Sequence, residues 1–440
     1  MPDLSSILHP DFAAEPYWWQ SYRPQEGEAG DLPRETPVLI VGAGYTGLNA
    51  AIALADRGIL ATVIDADLPG AGASTRNGGG VSAGVNTGKT FTGKRMAYPK
   101  AMQAAIAADS TAAFQHIETI IEREGIACDW KRTGRFVGAW TRKHFEQQKA
   151  RAAADQASGG QGLEAIPRER QREEIGSDLY HGGLVVRRSG ALDPALYYKG
   201  LLDACLRRGV KVYANAAATG LAREGGGFRV TTAKGTILAD KLLAATNGYT
   251  GTLFPALRRR IVPIASHVIA TEPLDPAIAA SLSPKGRTLS DSRRVLCYYR
   301  VSPDGTRMVF GGRARFTAVD PRMAGAVLHG FMLKRFPQLA GTRITHSWSG
   351  FTGFTFDALP HVGMKDGIHY ALGCNGSGIA LLSYLGAKAG EMLAGDPRPI
   401  CGFDREAFPS HPLYTGNPWF LPAVGSAFRT LDEMERRRDG

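Results

Sequence analysis

Short apolar runs alternate with glycine-rich turns in the first part of the chain. Residues 38–41 form an apolar run between Pro37 and Gly42, which predicts a buried parallel strand. The alanine-rich stretch 48–57 has helical spacing, and residues 61–64 form a second strand-like run. Together these segments predict one βαβ unit in about thirty residues.

Similar segments recur along the rest of the chain and predict further pieces of an open α/β sheet. The predicted helices are 100–124, 143–156, 195–207 and 379–393, and the predicted strands are 210–213, 228–232, 241–246 and 368–372. Between residues 261 and 312 the pattern changes, because the strand-like runs 262–270, 295–301 and 308–310 follow one another without an intervening helix. We therefore expect an antiparallel sheet in that region.

Composition and charge narrow the class of protein. A chain of 440 residues holds two or three domains at roughly 100–200 residues each, and 44% hydrophobic residues exclude disorder as its main state. A net charge of +11 is compatible with an anionic cofactor or substrate, with nucleic acid, or with a basic surface.

The five cysteines and ten histidines show no metal-ligand spacing, so no metal is expected. The N-terminus lacks the features of a leader and no long apolar stretch follows, so we expect a cytoplasmic protein without a membrane span.

The segment GAGYTG at 42–47 carries the clearest chemical signal. It is a GxGxxG motif that follows a predicted strand and opens a predicted helix, and Asp65 ends the next strand. Glycines here permit a tight turn, close approach of the backbone to a pyrophosphate, and close packing of helix on strand. Asp65 can accept hydrogen bonds from ribose hydroxyls, and its charge disfavours the 2′-phosphate of NADP. The motif itself leaves NAD and FAD both open.

Two further glycine-rich loops favour FAD over NAD. Residues 70–80 are rich in small residues and contain a single arginine, Arg76, which suits the remainder of an extended cofactor. Residues 373–378 form a turn at the start of a predicted helix, where backbone N–H groups can face an anionic flavin ring. Three such loops spread over the chain fit the longer dinucleotide.

Several motifs then resemble those of one enzyme family. They are YWW at 17–19, GAGYTG at 42–47, GASTRNGG at 72–79, SGALDP at 189–194, IATEPL at 269–274, CYYRVSPDG at 297–305, TFDALPHVG at 355–363 and GCNGSG at 373–378. The chain resembles the FAD-dependent D-amino-acid oxidase superfamily, which includes glycine and sarcosine oxidases, and is most similar to its γ-glutamylputrescine oxidase branch.

The resemblance implies a mixed fold with α/β and antiparallel parts. A Rossmann-like FAD-binding domain would be interleaved with a substrate domain, whose antiparallel sheet with flanking helices roofs the flavin. The expected segments are an N-terminal arm (1–36), the FAD-binding domain (37–95, 184–252 and 352–400), the substrate domain (96–183 and 253–351) and a C-terminal extension (401–440).

The resemblance also implies the contacts of the cofactor. The expected FAD-binding residues are Gly42, Gly44, Tyr45, Thr46, Gly47, Asp65, Ala66, Ala73, Ser74, Arg76, Asn77, Gly78, Gly79, Ala218, Asn247, Gly248, Gly373, Asn375, Gly376, Ser377 and Gly378. Sarcosine oxidases attach FAD to a cysteine just before TFDALP, where this chain has Gly350, so FAD is expected to be non-covalent. Val309 lies near the place of the lysine that speeds their reaction with oxygen, so oxidase and dehydrogenase behaviour both stay open.

The implied reaction is oxidation of the C–N bond of a primary or secondary amine or amino acid. Hydride passes to flavin N5, the imine hydrolyses in water, and molecular oxygen or another acceptor takes the electrons, oxygen giving hydrogen peroxide. Tyr298 and Arg300 share a strand face, and Arg313 follows the next strand, so these side chains are candidates to bind an anionic substrate. His267 is a candidate proton acceptor. Fold-stabilising roles for the two arginines and a core position for His267 are the alternatives.

Two other functions use related scaffolds and stay open. A tRNA-modifying flavoprotein would suit the positive charge, but the arginine clusters 258–260 and 436–438 are short and have no aromatic residues between them, so no nucleic-acid partner is expected. An NAD(P)H-dependent flavin hydroxylase is the second alternative.

Overall fold

The computed structural model describes residues 4–27, 30–82, 84–85 and 98–439. Its strands are β1 (Leu8–Ala13), β2 (Glu35–Val41), β3 (Thr62–Ile64), β4 (Gly80–Ser82), β5 (Arg135–Gly138), β6 (Leu163–Ile166), β7 (Gly183–Val186), β8 (Ser189–Ala191), β9 (Lys211–Tyr213), β10 (Ala218–Glu224), β11 (Gly227–Thr232), β12 (Gly235–Ala244), β13 (Val262–Thr271), β14 (Thr288–Asp291), β15 (Tyr298–Val301), β16 (Met308–Gly312), β17 (Ile344–Phe354), β18 (His361–Lys365) and β19 (Ile368–Leu372). Its α-helices are α1 (Tyr45–Ala55), α2 (Lys100–Glu124), α3 (Arg142–Ala157), α4 (Pro194–Arg207), α5 (Pro255–Arg258), α6 (Pro276–Leu282), α7 (Pro321–Arg335), α8 (Gly378–Ala394) and α9 (Leu421–Asp439).

An eight-stranded sheet contains the predicted βαβ unit. Its strand order is β10-β11-β12-β2-β3-β9, and β19 joins it beside β12 and carries β18. Strands β9, β3, β2, β12 and β19 run parallel. The central strands are apolar because both of their faces are covered, which confirms the α/β part of the predicted fold class.

Helices α1 and α8 pack on one another unusually closely beside this sheet. A Cβ atom at Gly386 would lie 2.3 Å from the carbonyl oxygen of Thr46, and one at Gly390 would lie 2.7 Å from that of Ala50. Only glycine on α8 permits this distance, so the first half of α1 packs closely on the second half of α8.

A nine-stranded, mostly antiparallel sheet forms the second layer. Its order is β1-β17-β13-β16-β15-β14-β5-β7-β6. One face packs against α7 through a core that includes Phe310, Leu328 and Phe336. The other face contributes Val309 and Trp348 to a smaller apolar cluster with Trp18 of the N-terminal arm. The sheet therefore lies over the 70–80 loop as a roof, which is the arrangement expected of the antiparallel sheet.

Sheet membership differs from the predicted segments at several places. Residues 184–186 belong to β7 and residues 352–354 to β17, and both strands lie in the nine-stranded sheet rather than in the eight-stranded sheet. Strand β1 of the arm pairs with β17 at the roof's edge, while α2 packs into the same core as α1 and α8. Short apolar strands do not reveal their partners in the sequence, because pairing is decided by distant residues.

Some predictions fall on residues without a description. The end of the first predicted FAD-binding segment, up to residue 95, lies within 86–97, which is outside the described residues. In the helices that the structure does describe, no stretch has the length and apolar character needed to cross a bilayer.

Candidate cofactor and substrate site

Steric crowding fixes the glycines of the GAGYTG turn between β2 and α1. Gly42 has φ of 109°, and a Cβ atom there would lie 2.8 Å from the carbonyl oxygen of Ala245. A Cβ atom at Gly47 would lie 2.0 Å from the carbonyl oxygen of Gly42. Gly44 caps the N-terminus of α1, whose first turn contains no acidic side chain. The turn thus presents the positive end of a helix dipole, which favours a phosphate.

Asp65 connects this turn with the adjacent loop. Its carboxylate accepts hydrogen bonds from the N–H of Ala43 at 2.8 Å and of Asp67 at 3.1 Å. Burial raises the pKa of Asp65. Its carbonyl oxygen accepts a hydrogen bond from the N–H of Ala216 at 2.7 Å, two residues before Ala218 at the start of β10. The residues expected at the adenosine, Asp65 and Ala218, therefore lie near one another.

Three tryptophan N–H groups hold the 70–80 loop in place. The bonds run from Trp18 to the carbonyl oxygen of Asn77 at 2.8 Å, from Trp19 to Thr75 Oγ1 at 2.9 Å and from Trp348 to the carbonyl oxygen of Arg76 at 2.8 Å. Two of these donors come from a 3-10 helix of the N-terminal arm, Tyr17–Gln20, and the third comes from β17. The aromatic arm is therefore part of the support of the loop expected to line the cofactor.

Arg76 is the cation of this loop. Its Nε donates to the carbonyl oxygen of Ala71 at 2.5 Å, and its guanidinium lies 4.7 Å from the ring centroid of Trp19. Burial lowers its pKa, and no carboxylate of the described residues lies within ion-pair distance of it. A half-buried cation without a counter-charge suits an anionic cofactor.

The loop at 373–378 is held by two asparagines. Asn247 Oδ1 accepts a hydrogen bond from the N–H of Gly373 at 3.0 Å, and Asn375 Nδ2 donates to the carbonyl oxygen of Gly373 at 2.7 Å. Gly373 and Gly376 have φ of 88° and 103°, which favours glycine at both positions. Ser377 then caps α8, so the loop ends at a second helix N-terminus.

A cavity of about 260 Å³ lies between these loops and the roof sheet. Of the residues predicted at the site, it brings together Tyr45, Ala73, Ser74, Arg76, Asn77, Gly78, Asn247, Asn375, Gly376, Ser377, Gly378, Tyr298, Arg300 and Arg313. The predicted residues that do not line it are Gly42, Gly44, Thr46, Gly47, Asp65, Ala66, Gly79, Ala218, Gly248, Gly373 and His267. Most of the second group surrounds the turn at 42–47, where the other end of a dinucleotide would lie.

Tyr298 lies on the roof and faces the cavity. Its hydroxyl is 2.9 Å from Ser266 Oγ, and burial raises its pKa. Two glycines leave room for its ring, because a Cβ atom at Gly311 would lie 2.2 Å from Tyr298 Cε2 and one at Gly78 would lie 2.7 Å from it. The ring is therefore fixed between the roof and the 70–80 loop.

Arg313 is half-buried, and its guanidinium contacts aromatic rings rather than a carboxylate among the described residues. It lies 5.2 Å from the ring centroid of Phe354, and its Nε is buried without a hydrogen bond. Among the described residues it pairs with no carboxylate, and burial lowers its pKa. Such a group has the donor geometry for a carboxylate.

Arg300 has a different environment. Its Nη1 donates to the carbonyl oxygen of Leu192 at 2.9 Å and lies 3.4 Å from that of Gly79, while its Nε donates to the carbonyl oxygen of Val301 at 3.1 Å. Burial lowers its pKa to about 10. These contacts connect the roof with the loop, which supports the fold-stabilising alternative.

His267 lies on the opposite face of β13 from Ser266, because side chains alternate along a strand. It is fully buried, and within the described structure neither ring nitrogen has a hydrogen-bond partner. Burial lowers its pKa to about 4. The structure does not bring His267 to the cavity, so its position gives no support to a role as proton acceptor.

Sequence reasoning missed several residues that line the cavity. Ser266 pairs with Tyr298, Arg135 comes from β5, and Thr288 and Ser290 come from β14. The strand 135–138 is too short to show a period, and its place beside β14 depends on residues about 150 positions away in the sequence. In the sequence, nothing but its residue type marks Arg135 as a candidate, and the chain contains many arginines.

The donor set fits FAD. The crowded glycine turn with Asp65 would suit the adenosine diphosphate, Arg76 would offer a cation to the anionic part of the cofactor, and the 373–378 backbone would offer N–H groups to the ring.

Comparisons with known proteins support the same cofactor. Residues 37–392 match the family described as FAD dependent oxidoreductase, DAO. A "Probable oxidoreductase OrdL" of Haemophilus influenzae is 31% identical over 378 residues, which cover 85% of this chain and 86% of that protein. A gamma-glutamylputrescine oxidoreductase of Escherichia coli is 31% identical over 401 residues, which cover 90% of this chain and 92% of that protein.

A solved structure shows the same fold. Glycine oxidase from Geobacillus kaustophilus superposes with a TM-score of 0.70 over 86% of this chain and 99% of its own, at 18% identity. The match to the family covers most of the chain, and two relatives of 31% identity cover 85% and 90% of it. This protein therefore belongs to the DAO family of FAD-dependent oxidoreductases.

Proposed function

We propose that this protein oxidises the C–N bond of a primary or secondary amine that carries a carboxylate or another anionic group. The observation that carries the proposal is Arg313, which has no carboxylate partner among the described residues and lines the same cavity as Tyr298 and the cofactor loops. The relatives support an amine substrate, because the Escherichia coli protein is named for γ-glutamylputrescine and the solved structure is a glycine oxidase.

FAD would be bound without a covalent bond and, when bound, supplies the two-electron acceptor for the C–H bond beside the nitrogen. Gly350 has no side chain that could bond to the cofactor. A Cβ atom there would lie 3.3 Å from Arg76 Cβ and 3.5 Å from Ala73 Cα. Acid precipitation should leave a colourless pellet and a yellow supernatant; a pellet that stays yellow would contradict non-covalent binding.

The protein's own groups bind the substrate and exclude water. Arg313 would bind the anionic group in bidentate geometry, and the Tyr298 hydroxyl, held by Ser266, would border the amine. The roof strands β13, β15, β16 and β17 shield the cavity from solvent. Positioning of this kind places the reacting carbon against the cofactor and can account for much of the rate enhancement.

The amine would have to arrive as a neutral base. The titratable side chains that line the cavity among the described residues are arginines, tyrosines and Cys374, and burial raises the pKa of both Tyr298 and Cys374. None of these groups is a base near pH 7. We therefore infer that the rate of cofactor reduction follows the ionisation of the amine rather than that of a protein group.

Anaerobic mixing of the purified protein with amines tests the proposal. Amines with a carboxylate should bleach the flavin absorbance, the same amines without it should bleach it weakly, and NADH should leave it unchanged. Reduction by NADH without any amine would instead favour the flavin hydroxylase. A colourless protein would contradict all the flavin-based alternatives.

The electron acceptor is proposed to be molecular oxygen, with hydrogen peroxide as the product. Exposing the bleached protein to air and timing the return of colour would test it. A return within seconds supports an oxidase, whereas slow reoxidation with rapid transfer to an artificial acceptor would assign a dehydrogenase.

The arginine clusters give no additional support to a tRNA substrate. Arg260 donates to the carbonyl oxygen of Phe408 at 2.7 Å, and Arg436 donates to those of Trp140 and Leu179 at 2.7 Å. One arginine of each cluster therefore holds the fold together. Steeply salt-dependent tRNA binding would revive that alternative.

A further inference from the structure

A second and larger cavity opens from the substrate cavity. Its volume is about 1060 Å³, and it is bounded by α3, by strands β5 and β14, and by α9. The residues that line both cavities are Arg135, Ser290, Leu296, Arg313 and Asn375. The two cavities therefore meet at the roof sheet, between Arg135 and Arg313.

The larger cavity carries an excess of positive charge. Its basic residues are Arg135, Lys143, Arg151, Arg293, Arg294, Arg313 and Arg438, and its acidic residues are Asp291, Glu435 and Asp439. The acids already have partners: Asp291 pairs with Arg335 at 2.5 Å and with Arg293 at 3.2 Å, Glu435 pairs with Arg294 at 2.5 Å, and Asp439 lies 3.8 Å from His181. Several of the cations therefore face the cavity without a counter-charge.

Arg135 is the most isolated of these cations at the junction. Its Nε is buried without a hydrogen-bond partner, and in the described part of the chain no carboxylate pairs with it. Burial, together with the neighbouring charge of Arg151, lowers its pKa to about 10. A partly desolvated guanidinium without an anion is costly, so a bound anion would relieve that cost.

Arg135 and Arg313 stand too far apart to share one carboxylate. Their strands β5 and β16 are separated by β14 and β15, which places the backbones roughly 14 Å apart across the sheet. The pairs Gly311↔Tyr298, Tyr298↔Ser290 and Ser290↔Val137 define one row across these strands. Arg313 comes two residues after this row and Arg135 two residues before it on strands that run in the same direction, which adds about 13 Å along the sheet.

We propose, on the basis of the function proposed above, that the substrate is an elongated amine with two carboxylates. Arg313 would bind the carboxylate nearer the oxidised carbon, and Arg135 would bind the distal one at the junction of the cavities. The substrate class is therefore a dicarboxylated amine rather than a simple amine or a small amino acid.

Matched substrates and variants test this substrate class. A dicarboxylated amine is compared with the same molecule whose distal carboxylate is a carboxamide, by anaerobic stopped-flow titration of flavin bleaching. The wild-type protein should bind the dicarboxylate about 10- to 100-fold more tightly. Arg135→Gln should abolish the preference by weakening dicarboxylate binding much more than carboxamide binding, whereas Arg313→Gln should weaken both.

Arg315→Gln is the matched control. Arg315 is exposed, lies two positions from Arg313 and does not line either cavity, so the same loss of charge there should leave the preference intact. Arg135→Met provides a second variant if Arg135→Gln fails to fold, as judged by flavin content and melting temperature.

Two results overturn the inference alone. They are equal binding of the two substrates by the wild-type protein, and an equal loss for both substrates in the Arg135 variants. Absence of bleaching by every amine would instead show that the proposed function is wrong, and this inference falls with it.

Discussion

Individual backbone atoms decide which residues the cofactor turn can accept. Gly47 is the sharpest case, since a Cβ atom there would lie 2.0 Å from the carbonyl oxygen of Gly42, which is itself at φ of 109°. No rotamer change can relieve a contact with backbone, so the turn would have to open.

Gly47→Ala should therefore lose both stability and FAD. We expect a destabilisation of about 1–3 kcal/mol and at least tenfold weaker FAD binding, measured by thermal unfolding and by titration of the apoprotein. The control is Gly330→Ala on α7, where an added Cβ meets nothing within 4 Å. Wild-type FAD affinity in Gly47→Ala would contradict the assignment of this turn to the cofactor.

Burial of His267 predicts a dependence of stability on pH. Its pKa is lowered to about 4 in the folded protein, against about 6.5 in the unfolded chain. Below pH 6.5 the unfolded state binds the proton first, so stability falls as pH decreases towards 4. This one group should cost about 2 kcal/mol between pH 7 and pH 5.

His267→Phe removes that group while keeping an apolar ring in its place. Its melting temperature should fall less than that of the wild type between pH 7 and pH 5, and cofactor reduction by amines should persist. The slope should not vanish, because burial also lowers to about 4 the pKa of His116, His346 and His369. An unchanged slope, or loss of reduction, would contradict the position described for His267.

At the scale of elements, the N-terminal arm contributes to the site as well as to the fold. Trp18 and Trp19 donate to Asn77 and Thr75 of the 70–80 loop, and β1 of the same arm extends the roof sheet. The loop is thereby fixed from outside the eight-stranded sheet.

Trp18→Phe and Trp19→Phe should each weaken FAD binding about fivefold, because each removes one hydrogen bond of about 1 kcal/mol to the loop. Equilibrium titration of the apoprotein with FAD measures this. Trp419→Phe is the control, since Trp419 is 67% exposed. Unchanged affinity in both arm variants would show that the loop holds its position without the arm.

Long periodic elements were predictable, and short or mixed ones were not. The predicted helix 100–124 is α2 with the same bounds, and 379–393 differs from α8 by one residue at each end. Strand β17 was missed because Ile344–Phe354 mixes buried polar and aromatic residues, with no alternation of apolar and polar positions. Its partner β13 supplies the missing information, and that partner lies far away in sequence.

At the scale of the whole molecule, two sheets enclose one cavity system. The glycine turns were predictable because their chemistry is local. The position of Arg135 in the cavity follows only from the pairing of β5 with β14. Part of the positive charge of the chain likewise lies in the large cavity, which is lined by cations without a counter-charge. Helix α9 helps to close this cavity, as Asp432 accepts hydrogen bonds from the N–H groups of Arg294 and Val295.

The central claim is that an anionic amine transfers a hydride from the carbon beside its nitrogen to a bound flavin. The most direct measurement is the anaerobic rate of flavin bleaching by a carboxylated amine and by the same amine deuterated at the α-carbon. Bleaching by both, with the deuterated amine slower, is the predicted result. No bleaching by any amine, in a yellow protein that NADH reduces rapidly, would contradict the claim.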